Sequence, residues 1–267
     1  MPINLYPRFS RYPHDMPAGQ LDTVWVRVVA EDGTWGLGQC AFGEPVSAFI
    51  NTVIAPIIEG QNCMAIEHLN DLIVRISQRF GTSGTASTAM SGVDLALWDL
   101  KGKILNQPVY SLLGGPVRES ITCYATSDDL DWSQELGFTK FKITNPSHYS
   151  DGDAGIKAVI DHVSQARERV GAEHDLMINP VMSYNFEFAQ RLLEHLRPYN
   201  LRWLEEPLVP TDNDGLARLR KSAPWVAIAT GEDHHGRHAF LDLVEKRAAD
   251  ILQPDLNWGG GLTEAMK

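Results

Sequence analysis

The first third of the chain combines strand-like and helix-like hydrophobic patterns. Residues 21–40 form two short apolar runs that are joined by the turn EDG, which predicts a β-hairpin. Residues 44–80 and 85–105 have helical periodicity, and the glycines and proline of LLGGP (112–116) then end the second helix. This part of the chain therefore predicts an α+β domain.

From about residue 120, short apolar runs alternate with longer segments of helical periodicity. The six apolar runs are SITCYAT, FTKFKIT, DLMINP, LRWLEEP, VAIATGE and ADILQPD. The helical segments between them are 151–170, 185–197, 212–221 and 236–247. Strand–helix alternation of this kind predicts a parallel β-sheet.

Polar side chains recur near the carboxyl ends of these predicted strands, at Lys142, Asn179, Glu205, Glu232 and Asp255. Their nearly regular spacing favours a (β/α) barrel of the TIM type, whose chemistry gathers at the carboxyl ends of its strands. A doubly wound open sheet is the alternative, although it does not require a polar residue at every strand end. Six strands are present where a closed barrel has eight, so we expect an incomplete barrel in a chain that is a fragment or lacks its last part.

Composition and charge exclude several classes of partner. The chain is 43% hydrophobic and carries a net charge of −11, which argues against binding to nucleic acids or anionic membranes. No apolar run reaches the length of a membrane span, and the N-terminal residues lack the apolar core of a signal peptide. The cysteines Cys40, Cys63 and Cys123 are odd in number and widely spaced, which indicates reduced thiols and a cytoplasmic location.

Two adjacent carboxylates, Glu205 and Glu206, end one of the predicted strands. Strand alternation places Trp203 and Glu205 on one face and Glu206 on the other, but it does not decide which face is the interior. With Glu205 inside, Glu206 would lie near the margin between the strand and the following helix. An acid at a helix N-terminus would also explain such a pair. Together with Asn179 and Glu232 on neighbouring strands, however, an inward carboxylate suits Mg²⁺, which could stabilise an enediolate formed next to a substrate carboxylate.

Five motifs, in this order along the chain, resemble the enolase superfamily in its mandelate racemase-like branch. They are VDLALWDLKGK…PVYSLLGG (93–115), KFK (140–142), WLEEP (203–207), GED (231–233) and QPD (253–255). DGDAGIK (151–157), YNLRWLEE (199–206) and QPDLNWGGGLT (253–263) are most similar to the rhamnonate dehydratase group of acid-sugar dehydratases. The resemblance implies a capping domain over 1–117, without its first strand, and a catalytic barrel domain over 118–267.

The resemblance also implies roles for the residues at the strand ends. Glu205 and Glu232 would be Mg²⁺ ligands, and Asn179 occupies the place where the family has a third, aspartate ligand. Lys142 stands where many relatives carry a base. Asp255 would be the acid partner of a dyad whose histidine lies on the next strand, beyond this sequence.

Several further residues are candidates for contacts with the substrate. One of the residues after Glu232 is expected to face the active site, with His234 as an acid. Zinc binding by His234, His235 and His238 is the weaker alternative, because no HExxH motif is present and the carboxylates favour a harder ion. The candidate substrate-binding residues are Arg11, His14, Lys140, Asp233 and His235.

The function implied is that of a Mg²⁺-dependent hydro-lyase acting on an acid sugar such as rhamnonate. A base would remove the C2 proton, and loss of the 3-OH would give a 2-keto-3-deoxy acid. The neutral side chain of Asn179 predicts weaker Mg²⁺ binding than an aspartate would give. The alternatives are a racemase or epimerase of the same superfamily and a non-catalytic, truncated remnant. A small acid sugar is the expected partner, and a homo-oligomer is expected for the full-length form.

Overall fold

The computed structural model describes residues 23–267, which form two compact units. The first contains the described residues up to Glu119 together with Glu232–Phe240 and Pro254–Lys267. The second contains Ser120–Gly231 and Leu241–Gln253. The domain boundary at 117/118 stays a prediction.

Eight strands and eleven α-helices make up the described residues. The strands are β1 (Val24–Val29), β2 (Trp35–Cys40), β3 (Ala125–Thr126), β4 (Lys140–Thr144), β5 (Asp175–Asn179), β6 (Trp203–Glu205), β7 (Ala227–Thr230) and β8 (Ile251–Leu252). The helices are α1 (Gly43–Phe49), α2 (Ala55–Ile58), α3 (Ile66–Ser77), α4 (Thr85–Leu105), α5 (Val109–Leu112), α6 (Leu130–Glu135), α7 (Gly152–Val170), α8 (Phe186–Leu196), α9 (Asn213–Ser222), α10 (Gly236–Glu245) and α11 (Gly261–Ala265). A π-helical segment, Ile50–Ile54, separates α1 from α2, and two short 3-10 turns occupy Tyr149–Asp151 and Arg197–Tyr199.

The first unit is built around helix α4 and the hairpin of β1 and β2. The two strands are antiparallel, with Val24 opposite Cys40, as the sequence predicted. Glycines permit a very close approach of β2 to α4, because a Cβ atom on Gly38 would lie 2.0 Å from the carbonyl oxygen of Gly92. The helix is buried along most of its length, and its apolar side chains pack with those of the hairpin and of the neighbouring helices in the core of this unit.

The second unit contains a six-stranded parallel sheet whose strands follow one another in chain order from β3 to β8. Phe141, Ile143, Leu176, Ile178 and Leu204 are almost fully buried, as expected for parallel strands that are covered on both faces. The prediction of six parallel strands and of the helices between them is therefore confirmed.

Side-chain caps fix where three of the helices in this unit begin. Asp129 accepts a hydrogen bond from the Trp132 N–H at the start of α6, and Asp212 accepts one from the Gly215 N–H at the start of α9. Asn185 caps α8 in the same way. Such caps satisfy N–H groups that have no partner within the helix. Along residues 23–267, no helix is both long and apolar enough to cross a membrane.

Candidate active site

Glu205 is the centre of a buried polar cluster in the second unit. It is the last residue of β6 and is 1% exposed. Its Oε1 accepts hydrogen bonds from Lys142 Nζ at 2.5 Å and from Asn179 Nδ2 at 3.0 Å. Its Oε2 accepts a hydrogen bond from Trp203 Nε1 at 2.8 Å. Three side chains from three different strands therefore converge on this one carboxylate.

The parallel sheet explains why these side chains meet. Strand β5 lies between β4 and β6, and each of the three strands contributes to the cluster. Lys142 lies opposite Met177 in the middle of β4, whereas the sequence placed it at the strand end. From this earlier position the long side chain of Lys142 extends towards the carboxyl ends of the strands and reaches the same carboxylate that Asn179 contacts.

An aromatic ring lies beside the lysine. The ring of Tyr124 has its centroid 5.3 Å from Lys142 Nζ, and it also packs edge-to-face on the ring of Trp203 at 5.3 Å. Cation–π attraction supports an ammonium at this position. Sequence reasoning did not identify Tyr124 or Trp203 as site residues. For Trp203 a signal was available, since it shares a strand face with Glu205.

Glu206 is buried as deeply as its neighbour, at 1% exposed, although the sequence placed it near the margin of the strand. The backbone bends at Glu206, where φ is 40°, so simple alternation of faces ends at Glu205. Glu206 Oε1 accepts a hydrogen bond from the Gly231 N–H at 3.3 Å. The prediction of a marginal position for Glu206 is therefore wrong.

The arrangement around Asn179 does not suit a Mg²⁺ ligand. Mg²⁺ requires oxygen ligands at about 2.1 Å. The side-chain oxygen of Asn179 instead accepts a hydrogen bond from the Val181 N–H at 2.8 Å, and its amide nitrogen faces Glu205. Within residues 23–267, no group of three or more histidine, cysteine, aspartate or glutamate side chains is placed to hold a metal ion. The ligand roles of Asn179, Glu205 and Glu232 stay predictions, and these contacts speak against that of Asn179.

The first unit contains the other candidate site residues, which are Glu232, Asp233, His234, His235 and Asp255. Burial raises the pKa of Asp233, a nearby Asp255 carboxylate raises it further, and His235 opposes the shift. His234 is buried, and its ring centroid lies 6.0 Å from that of Phe240.

Contacts with the backbone hold two of these side chains in place. His235 Nδ1 lies 3.0 Å from the Trp258 carbonyl oxygen, and Asp255 Oδ1 accepts a hydrogen bond from the Asn257 N–H at 2.6 Å. The bond to Asn257 shows Asp255 stabilising the turn that follows β8. The metal-ligand role of Glu232 and the catalytic or substrate-binding roles of the other four residues remain predictions.

Lys140 forms an ion pair with Asp175, and these residues begin strands β4 and β5. Lys140 therefore already has a partner at the amino ends of the strands, and its proposed contact with substrate stays a prediction. Arg11 and His14 lie outside the described residues.

Two family descriptions match consecutive parts of the chain. Residues 5–114 match "Mandelate racemase / muconate lactonizing enzyme, N-terminal domain", and residues 128–267 match "Enolase C-terminal domain-like". The chain belongs to the enolase superfamily. The family predicted from its motifs is thereby confirmed, as is the fold class of an α+β domain followed by an incomplete (β/α) barrel.

Relatives within the enolase superfamily include proteins named for acid-sugar chemistry. Over 267 residues the chain is 39% identical to L-rhamnonate dehydratase of Saccharopolyspora erythraea, covering 100% of the chain and 68% of the relative. A structure of rhamnonate dehydratase from Gibberella zeae complexed with Mg is 34% identical, with a TM-score of 0.89, over 92% of this chain and 61% of that one. A structure of a racemase from Streptomyces coelicolor A3(2) with bound magnesium is 29% identical, with a TM-score of 0.85, over 91% of this chain and 75% of that one.

The chain thus spans about two thirds of the length of the relatives named for rhamnonate dehydration.

Proposed function

We propose that this protein is a hydro-lyase of acid sugars, similar in activity to L-rhamnonate dehydratase. The C2 proton of a sugar acid is removed, the 3-OH leaves with a proton as water, and the resulting enol becomes a 2-keto-3-deoxy acid. The observation that carries the proposal is the 39% identity to a relative of that name over the whole chain. A cytoplasmic homo-oligomer that acts on a small acid sugar is part of the same proposal.

Lys142 supplies positive charge to this reaction. Its Nζ lies 2.5 Å from the buried Glu205 carboxylate, and an ammonium in this position donates protons in hydrogen bonds and does not accept them. Removal of the C2 proton places negative charge on the substrate carboxylate. A fixed ammonium in a buried site stabilises such charge, so Lys142 acts as an electrostatic group in this proposal, and the base is a different residue.

Asp255 is one of the residues that the resemblance connects with the proton transfer. We propose an acid–base role for Asp255 because the resemblance makes it a member of an acid–histidine dyad. Its side chain already accepts a hydrogen bond from the Asn257 N–H, which fixes its orientation. Mg²⁺ supplies Lewis-acid stabilisation of the enediolate where such enzymes bind it. The residues around Glu205 do not suit that ion, and no step proposed here depends on it.

The test is an assay for keto-acid formation. The chain is incubated with a library of sugar acids, with and without Mg²⁺, and products are measured with semicarbazide. Because the chain spans 68% of the S. erythraea relative, a parallel sample carries the chain completed with the relative's remaining segments. The proposal is supported if a semicarbazide-reactive product forms and if a variant that lacks the lysine at position 142 forms less of it. Lack of any such product in both samples, with all substrates, contradicts it.

A second candidate is a protein that binds acid sugars without dehydrating them. Asn179 favours it, because the amide nitrogen of Asn179 faces Glu205 where the family has a carboxylate ligand. Binding of a sugar acid by calorimetry, with unchanged substrate on chromatography, would support this candidate. A racemase or epimerase would convert the sugar acid into a stereoisomer and give no keto acid.

A further inference from the structure

Both polar atoms of the Asn179 side chain form hydrogen bonds, and these bonds fit only one orientation of its amide group. Oδ1 accepts a hydrogen bond from the Val181 N–H, and Nδ2 donates one to Glu205 Oε1. Reversing the amide would place Oδ1 against a carboxylate oxygen and the NH₂ group against an N–H donor, so both contacts would become repulsive. The hydrogen-bond pattern therefore directs the oxygen of Asn179 at the backbone and away from Glu205.

A further backbone hydrogen bond also stabilises the turn that holds the Asn179 oxygen. Val181 and Met182 have φ values of 49° and 60°, in the left-handed region that residues with side chains seldom adopt. The Met182 N–H donates to the carbonyl oxygen of Glu206 at 2.7 Å. Rotating Asn179 to present its oxygen to a cation would remove one of the bonds that stabilise this unusual turn.

Glu205 has its charge partner in Lys142. A divalent cation bound to Glu205 would have to displace the Asn179 amide and would lie close to the Lys142 ammonium, and like charges at such distances repel. Aspartate at position 179 would have the opposite effect. It would add a second oxygen-bearing, negatively charged side chain beside Glu205, and a bound divalent cation relieves the repulsion between two such carboxylates.

We infer that Lys142 and Asn179 together replace the divalent cation as the partner of Glu205. The site consequently has low affinity for Mg²⁺, and the single substitution Asn179→Asp converts it into a divalent-cation site. The inference concerns cation binding alone, so it stands or fails independently of the proposed dehydratase activity.

The experiment measures the binding of Mn²⁺ and Mg²⁺ to the folded chain by tryptophan fluorescence and by the midpoint of thermal unfolding. Trp203 is a suitable reporter, because its Nε1 donates to Glu205. Asn179→Asp is compared with the wild type and with Asn200→Asp. The matched control adds the same charge at an exposed asparagine of the same unit.

We expect Asn179→Asp to bind Mn²⁺ at least about tenfold more tightly than the wild type. Mg²⁺ should raise its unfolding midpoint, and neither change should occur in Asn200→Asp. Adding Glu205→Gln to the Asn179→Asp variant should abolish the gain, which locates the cation at this carboxylate. Equal Mn²⁺ affinity in the wild type and in Asn179→Asp, lost in both on Glu205→Gln, overturns the inference.

A second comparison applies if Asn179→Asp does not fold. The wild-type chain and its Glu205→Gln variant are then titrated alone. A wild-type dissociation constant for Mn²⁺ below about 0.1 mM that Glu205→Gln abolishes overturns the inference. Weaker binding, or binding that Glu205→Gln leaves unchanged, supports it.

Discussion

Lys142 and Glu205 form a buried ion pair across strand β5, with Nζ 2.5 Å from Oε1 and the two residues 7% and 1% exposed. Neither charge has much access to water, so each depends on the other. Trp203 and Asn179 add hydrogen bonds to the carboxylate, which is the condition under which a buried pair is tolerated.

Lys142→Met should therefore destabilise the chain strongly. The substitution keeps the length of the side chain but leaves a buried carboxylate without its counter-charge, so we expect the free energy of unfolding to fall by about 3–5 kcal/mol. Urea denaturation at neutral pH measures this loss. Lys140→Met is the matched control on the same strand. Its partner is the partly exposed Asp175, and the expected loss is about 0–1 kcal/mol. Equal losses in the two variants would contradict the role given to burial.

Arg167 on helix α7 binds four backbone carbonyl groups near the amino ends of the strands. Its guanidinium donates to Tyr199, Gly171, His174 and Asn200 at 2.7–3.1 Å. Arg167→Met should lower the free energy of unfolding by about 2–4 kcal/mol, because several carbonyl groups lose a charged donor together. The measurement is again urea denaturation.

Arg169, two residues further along the same helix, provides the comparison for Arg167. It pairs with Asp131, and both side chains are at least half exposed. Arg169→Met should lower the free energy of unfolding by only about 0–1 kcal/mol, because exposed ion pairs contribute little. A larger effect at Arg169 than at Arg167 would show that the surface pair, and not the carbonyl cluster, stabilises α7.

The sequence predicted the sheet well because each strand leaves a local signal. The polar residues on neighbouring strand ends and the resemblance, and not strand alternation, indicated that Glu205 points inward, and Glu205 is buried. The spacing of polar residues also located the ends of β5 and β6. The orientation of Asn179 could not be predicted, since it depends on the Val181 N–H in a turn of positive φ. The burial of Glu206 was missed for a similar reason, as the backbone bend at Glu206 itself breaks the alternation.

Gly38→Ala tests the close contact between β2 and α4. The added Cβ would lie 2.0 Å from the Gly92 carbonyl oxygen and 2.6 Å from the Ala96 nitrogen, so the strand and helix would have to separate. We expect a loss of at least about 3 kcal/mol in the free energy of unfolding, measured by urea denaturation. In Gly33→Ala the new Cβ meets no atom within 4 Å, and only the positive φ of 86° opposes it. For Gly33→Ala, the control, we expect the free energy of unfolding to fall by about 1–2 kcal/mol.

Asp94 gives the first unit a pH-dependent stability. It is 3% exposed on α4, and its Oδ2 accepts a hydrogen bond from the Thr263 N–H at 2.9 Å. Burial raises the pKa of Asp94 from 3.8 to about 6, although the hydrogen bonds from Thr263 and Leu262 oppose the shift. The folded state thus holds the proton more tightly than the unfolded state does. The resulting stabilisation is complete below about pH 4 and is lost as the pH rises to about 6.

Asp94→Asn removes this pH dependence, because the amide is neutral at every pH and can still accept the bond from Thr263. The free energy of unfolding of the variant minus that of the wild type should rise between about pH 4 and 6 and then stay constant. From the shift in pKa, the total rise should be about 3 kcal/mol. Urea denaturation of both proteins at several pH values measures this difference. A difference that is constant from pH 4 to 8 would show that the Asp94 carboxyl does not titrate in this range, and a falling difference would mean that its folded-state pKa is lowered.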